Sequence, residues 1–194
     1  LILTATSCKP LSEIGNKNFK PENITKTNFK KLNGIYANSF DSTIGKLKHS
    51  PYDGRNDYER ITILDQLFYN YPEIAWRDSN GEFIDPKEKW IKLEFQSTKL
   101  ATVSMYHNNN FVFSKKIRGK FKNGYFYIRA KNFVVPLIPL AFGYNFERAR
   151  IGISADHLII DYRLNRWGFA LVAGSADKGY ISSTFKKKSS RDSP

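Results

Sequence analysis

The chain has 194 residues, of which 41% are hydrophobic, 15% aromatic and 25% charged. That is the make-up of a single globular domain, and it excludes a disordered or collagen-like chain. Lys and Arg number 31 against 18 Asp and Glu, a net charge of +13, and one cysteine excludes an internal disulfide and an all-cysteine metal site.

The chain opens Leu1-Ile2-Leu3-Thr4-Ala5-Thr6-Ser7-Cys8-Lys9-Pro10. No run of about 20 apolar residues is present to form a transmembrane helix. An apolar stub, a run of small residues, a lone cysteine and then a polar stretch read as the tail of a secretory signal followed by a leash. The small residues directly before Cys8 resemble the lipobox of bacterial lipoproteins. Ala5 stands where that family usually has Leu, and Leu3 supplies apolar character two residues earlier. The resemblance implies removal of residues 1–7 and acylation of Cys8 by a thioether-linked diacylglycerol. Several acyl chains at about 0.8 kcal/mol per buried CH₂ hold a protein firmly on a membrane. The expected organisation is a signal-peptide remnant over 1–7, a flexible tether over 8–28, one β domain over 29–188 and a tail over 189–194.

Residues 29–32 read as a short helical turn, and Asn33-Gly34 breaks it before a first strand carrying Ile35, Tyr36 and Phe40. One longer helix is predicted over 58–69. Asn56 and Glu59 fit a capping box, Ile61, Leu64, Leu67 and Phe68 make one apolar stripe, and Pro72 marks the stop. From Trp90 onward the pattern has period two. Ile91, Leu93 and Phe95 alternate with Lys92, Glu94 and Gln96, and Ala101, Val103 and Met105 repeat it. Asn108-Asn109-Asn110 reads as a turn and Asn123-Gly124 as a tight hairpin, since both residue types tolerate positive φ. Further strands are expected over 125–131, 148–153, 158–163, 169–173 and 180–186, with turns at Ser154-Ala155-Asp156, at Asn165 and at Asp177-Lys178-Gly179. Strands at this spacing predict an all-β fold with one helix, an antiparallel meander closing into a barrel or a strongly curled sheet. Gly34-Ile35-Tyr36 after the 29–32 turn resembles the Gly-x-Trp opening of lipocalins, with Tyr in place of Trp. That resemblance implies a lipocalin-like shape.

The segment 133–142 is apolar throughout, and its two prolines exclude a central strand. It reads either as a buried crossing that plugs the barrel or as an exposed loop at its mouth. His49, His107 and His157 show no ligand spacing, so no metal site or cofactor is expected. Asp53, Asp57 and Glu59 suit capping of the helix start, and Glu82, Asp85 and Glu88 are too sparse for a calcium loop. The basic residues are scattered and interleave with Tyr125 and Tyr127, a pattern compatible with single-stranded nucleic acid. Export across a membrane removes nucleic acid as a partner, and anionic headgroups or envelope polysaccharide suit the charge better.

The expectation is a lipid-anchored, non-catalytic protein of a bacterial cell envelope, on an outer membrane or a periplasmic face. It binds a small apolar ligand inside the barrel or a protein partner at the rim. Tyr36, Trp90 and Trp167 are the expected lining or rim, and Cys8 is the expected lipid attachment site. Two alternatives stay open: an immunity or inhibitor protein that neutralises a toxic enzyme, and a hydrolase whose carboxylates converge in the fold.

Overall fold

The structure is a computed structural model and describes residues 20–48, 62–63, 67–68, 88–128, 131–137, 141–170 and 173–188. Cys8, His49, the acids at Asp53, Asp57, Glu59, Glu82 and Asp85, and most of the predicted 58–69 helix lie outside the described residues. A 3-10 turn, Phe29–Leu32, leads into ten strands. These are β1 (Gly34–Ala37), β2 (Ser42–Lys48), β3 (Lys89–Ser97), β4 (Leu100–His107), β5 (Asn110–Lys122), β6 (Tyr125–Ile128), β7 (Lys131–Leu137), β8 (Ala141–Ser154), β9 (His157–Ala170) and β10 (Ala173–Lys186).

The alternating stretches become strands because each has one dry face to bury. Ile91, Leu93 and Phe95 of β3 and Ala101, Val103 and Met105 of β4 are all buried. Asn108 and Asn109 take positive φ in the β4–β5 turn. Asn123 and Gly124 take φ of 50° and 78° between β5 and β6, as the hairpin signal required. Ala155, at φ 50°, turns β8 into β9.

Two expected turns are corrected. Asn165 lies inside β9 and 177–179 lies inside β10, each strand running 14 residues without a break. Asn165 and Lys178 are register partners, so their polar side chains occupy the outward row of a long ladder. Turn-forming residues at such positions do not stop a strand that is paired along its whole length. Of the 133–142 segment, 133–137 and 141–142 are strand, and 138–140 lie outside the described residues: β7 and the first residues of β8 pair from Leu137↔Ala141 back to Lys131↔Glu147. Pro136 sits in β7, whose only strand partner among the described residues is β8, and such an edge tolerates the missing N–H.

All pairings are antiparallel, in the order β1-β3-β4-β5-β6-β8-β9-β10-β2, with β7 beside β8. The sheet curls strongly into a half-barrel. Its first strand comes back to the end of its second-last: Tyr36 bridges Lys187, and the Lys188 N–H donates to the Ile35 carbonyl at 2.8 Å.

The concave face holds the core. Phe29, Phe95, Phe121 and Phe126 form one ring cluster, with the Phe95–Phe126 centroids 4.8 Å apart in an edge-to-face arrangement. Ile151, Ile153, Leu158, Ile160 and Phe185 close it from the other side. Of the predicted helix, Ile63 and Leu67 are helical, and with Phe68 they are buried in this core. Full burial of side chains this size is worth about 1.5–3 kcal/mol each. The shell also extends N-terminally of residue 29. Ile24 is buried in the core, and the Glu22 N–H donates to the Ile153 carbonyl at 2.7 Å.

Candidate functional site

Side chains alternate along each strand, so the partners of core residues identify the two faces. Tyr36 pairs with Ile91 and Phe126 with Ile151, both on the concave side. Tyr36 is fully buried there, and its hydroxyl donates to the Leu32 carbonyl at 2.9 Å. Burial pushes that phenol far above its ordinary pKa. Tyr36 is therefore a wall of the core. Trp90 is one residue out of phase with Ile91 and sits half-buried on the other face, where the Lys188 ammonium lies 3.1 Å from its ring centroid. Trp167 is 38% exposed on the far half of β9. The structure thus places the three expected lining residues in three different settings, and they do not meet around one space.

The convex face of β6, β8, β9 and β10 carries a polar row that alternation alone does not reveal. Tyr127, Arg150, Asp161 and Ser182 stand opposite one another in register, strand by strand. The Arg150 guanidinium donates from Nε to Asp161 Oδ2 at 2.6 Å and from Nη1 to the Tyr127 hydroxyl at 3.2 Å. It also lies 3.9 Å over the centroid of the Tyr125 ring. That ring fills the space above Gly152, with Pro21 beside it. Arg150 is 4% exposed and Asp161 fully buried. Burial pushes the Asp161 carboxyl above the usual carboxylate range, while Arg150 and the Ser182 hydroxyl pull against it.

Further along the same convex face the row gives way to aromatic residues and cations. Tyr144 and Trp167 are register partners and stack, with centroids 6.3 Å apart and planes 29° apart. The Tyr144 hydroxyl donates to Asn165 Oδ1 at 3.2 Å. The Arg148 guanidinium lies 4.3 Å over the Phe146 ring. Arg163 pairs in register with both Arg148 and Tyr180, and Lys178 with Asn165. At the convex positions Tyr144, Phe146 and Arg148 of β8, and at their register partners on β9 and β10, no residue is an Asp or Glu. The arrangement offers flat aromatic rings and guanidinium groups to an acidic or π-rich partner.

The described histidines sit in exposed pairs. His157 Nε2 is 3.1 Å from Asp41 Oδ2, and His107 Nε2 is 3.4 Å from Glu88 Oε2. Each joins a strand end to a neighbouring loop. No group of three or more metal-ligating side chains occurs among the described residues. Compared with known proteins, the chain matches no protein-family model, no curated protein and no solved structure.

Proposed function

We propose that this chain is a non-catalytic binding protein of a bacterial cell envelope, anchored by a lipid on Cys8, and that it takes a protein partner on the outside of its shell. The observation that carries the outward reading is the packing of the concave face. Phe95, Phe126 and Tyr36, together with Ile63 and Phe185, are buried against one another where a carrier of small apolar ligands needs open volume. The convex face has the residue types that dominate binding energy at protein interfaces, namely Trp, Tyr and Arg. Its cations, Arg148, Arg163 and Lys178, suit an acidic partner. The anchor reading is supported by the small residues before the one cysteine and by the polar stretch after it.

Two experiments test it. Cys8→Ala in the native host should move the protein from the membrane fraction to the soluble one; retention on the membrane after a high-salt wash overturns the anchor. Photo-crosslinking from position 180 should trap a discrete acidic protein, and Arg148→Glu with Arg163→Glu should abolish that adduct. Saturable uptake of one fatty-acid probe per chain would instead restore the interior ligand.

A further inference from the structure

We infer that the outer face of β5 is a binding track for a linear acidic polysaccharide. The track is separate from the protein surface proposed on β8, β9 and β10, and it does not depend on a lipid at Cys8.

The inference starts from the charge of one stretch. From residue 95 to residue 146 the chain has no Asp or Glu, in a protein that holds 18 of them, and it has eight Lys and Arg. β5 gathers five of those eight. Ile117 is buried and Phe121 packs against the core, so the alternate residues of the strand point outward. Lys116, Arg118, Lys120 and Lys122 therefore stand in one line, all exposed. At about 3.4 Å per residue they follow one another at about 7 Å and span roughly 20 Å. None of the four has an ion-pair partner among the described residues. Lys31, Lys92 and Arg150, by contrast, are paired with Glu22, Glu94 and Asp161. The charge is one strand wide, because the register neighbours of the line are Thr102 and Leu100 on β4 and Tyr127 and Tyr125 on β6. Lys99, exposed in the turn before β4, comes alongside the middle of the line, where its carbonyl accepts the Gly119 N–H at 3.1 Å. Toward the start of β5 the same face continues with the exposed Ser114 and with Phe111, which is 59% exposed and meets its register partner Tyr106 edge to face.

Cations in single file suit a polymer that carries its negative charges in single file. Lys and Arg hold carboxylates through charge-assisted hydrogen bonds. The Ser114 hydroxyl can bond a sugar hydroxyl, and the electron-rich face of Phe111 suits the C–H face of a sugar ring. An anionic bilayer presents its charge as a plane, which cations on several adjacent strands would meet. A folded acidic protein needs aromatic anchors inside the contact, and the line has none until its end. Single-stranded nucleic acid needs rings free for base stacking beside the cations. The rings beside this line are already engaged: the Arg150 guanidinium lies 3.9 Å over Tyr125 and donates to the Tyr127 hydroxyl.

The test uses the full chain carrying Cys8→Ala, with alginate as the probe and dextran as its uncharged counterpart. Expected results are binding of alginate that weakens with added salt, and no binding of dextran. Lys116→Gln with Lys120→Gln should weaken alginate binding about tenfold and flatten its salt dependence, with the urea transition unmoved. Phe111→Ser should weaken it several-fold and leave the salt dependence as it is. Lys26→Gln with Lys186→Gln removes the same charge from exposed positions off the line and should leave the affinity nearly unchanged. An equal loss in that second pair overturns the inference, since it would mean attraction to net charge alone. So does a failure to bind alginate at low salt, and so does tighter binding of oligothymidylate or of phosphatidylglycerol vesicles at matched charge. The β5 variants should keep the adduct formed from position 180, so this inference and the protein partner fail separately.

Discussion

Arg150 and Asp161 face each other across β8 and β9 with Nε and Oδ2 2.6 Å apart, both almost wholly buried, on the convex side of the sheet. Removing one partner of such a pair leaves the other charge without compensation in a dry site. Asp161→Asn and Arg150→Ala should each lower the unfolding free energy by about 3–5 kcal/mol, read from urea transitions. An apolar double replacement, Arg150→Met with Asp161→Leu, should recover most of that loss. A cost below about 1 kcal/mol for Asp161→Asn would show that the carboxyl is already neutral in the fold.

The buried phenols give the shell a limit in alkali. Burial pushes Tyr125 up to about 12, with the Asp161 carboxylate adding to the rise, and pushes Tyr36 higher still. Both lie above the ordinary tyrosine value near 10. The unfolded chain therefore loses these protons first. Their contribution to stability is complete below pH of about 10 and is lost as pH rises through about 12. Urea midpoints measured across that range should fall steadily. Tyr36→Phe should flatten part of the fall, at a cost of about 1 kcal/mol at neutral pH for the Leu32 carbonyl left without its donor.

How much of this was legible beforehand depends on whether the signal is local. The β3 and β4 stretches show their dry faces by alternation, and Asn123-Gly124 shows its turn by conformational preference, so these elements follow from short windows. The length of β8, β9 and β10 does not. Asn165 and Asp177-Lys178-Gly179 look like turns in isolation, and only the pairing of one strand along another keeps them extended. The missed turns hid the Tyr144–Trp167 stack, whose members meet only when the β8–β9 hairpin runs its full length. Arg150 and Asp161 fall on what reads as a wet face. That stretch is dry because the Tyr125 ring lies over Arg150 and Gly152, with Pro21 beside it. Trp167 reads from the sequence as a lining or rim residue and lies exposed on the convex face. Tyr36 was not recognisable as core, since its hydroxyl partner is the Leu32 carbonyl.

β2 depends on one glycine. Gly45 adopts φ of 94°, and a Cβ there would collide with the Tyr180 carbonyl and press on the Tyr180 ring. The ring therefore covers the glycine in the β10–β2 ladder, which pairs Ser42 through Lys48 with Thr184 through Lys178. Gly45→Ala should cost about 1–3 kcal/mol through backbone strain and lost pairing. Amide hydrogen exchange should rise along 42–48 more than along β8 or β9. Uniform loss of protection across the sheet would mean that β2 opens only with the whole shell.

The seam between β1 and the end of β10 is the last structural dependence to test. Lys187 bridges Tyr36, the Lys188 N–H donates to the Ile35 carbonyl at 2.8 Å, and the Lys188 ammonium sits on the Trp90 ring at 3.1 Å. The Lys187 N–H also ties the same segment to the β8–β9 turn, donating to the Asp156 carbonyl at 2.8 Å. These two backbone hydrogen bonds at about 1 kcal/mol each and one cation–π contact at about 0.5–1 kcal/mol give roughly 2.5–3 kcal/mol for the segment after Lys186. Ending the chain after Lys186 should remove that amount from the unfolding free energy and shift Trp90 emission to the red as its ring is uncovered. Lys188→Ala should remove only the cation–π share while keeping both backbone bonds. If the truncation costs no more than Lys188→Ala, the two backbone bonds contribute nothing net, and the shell is held in its curl by the concave core alone.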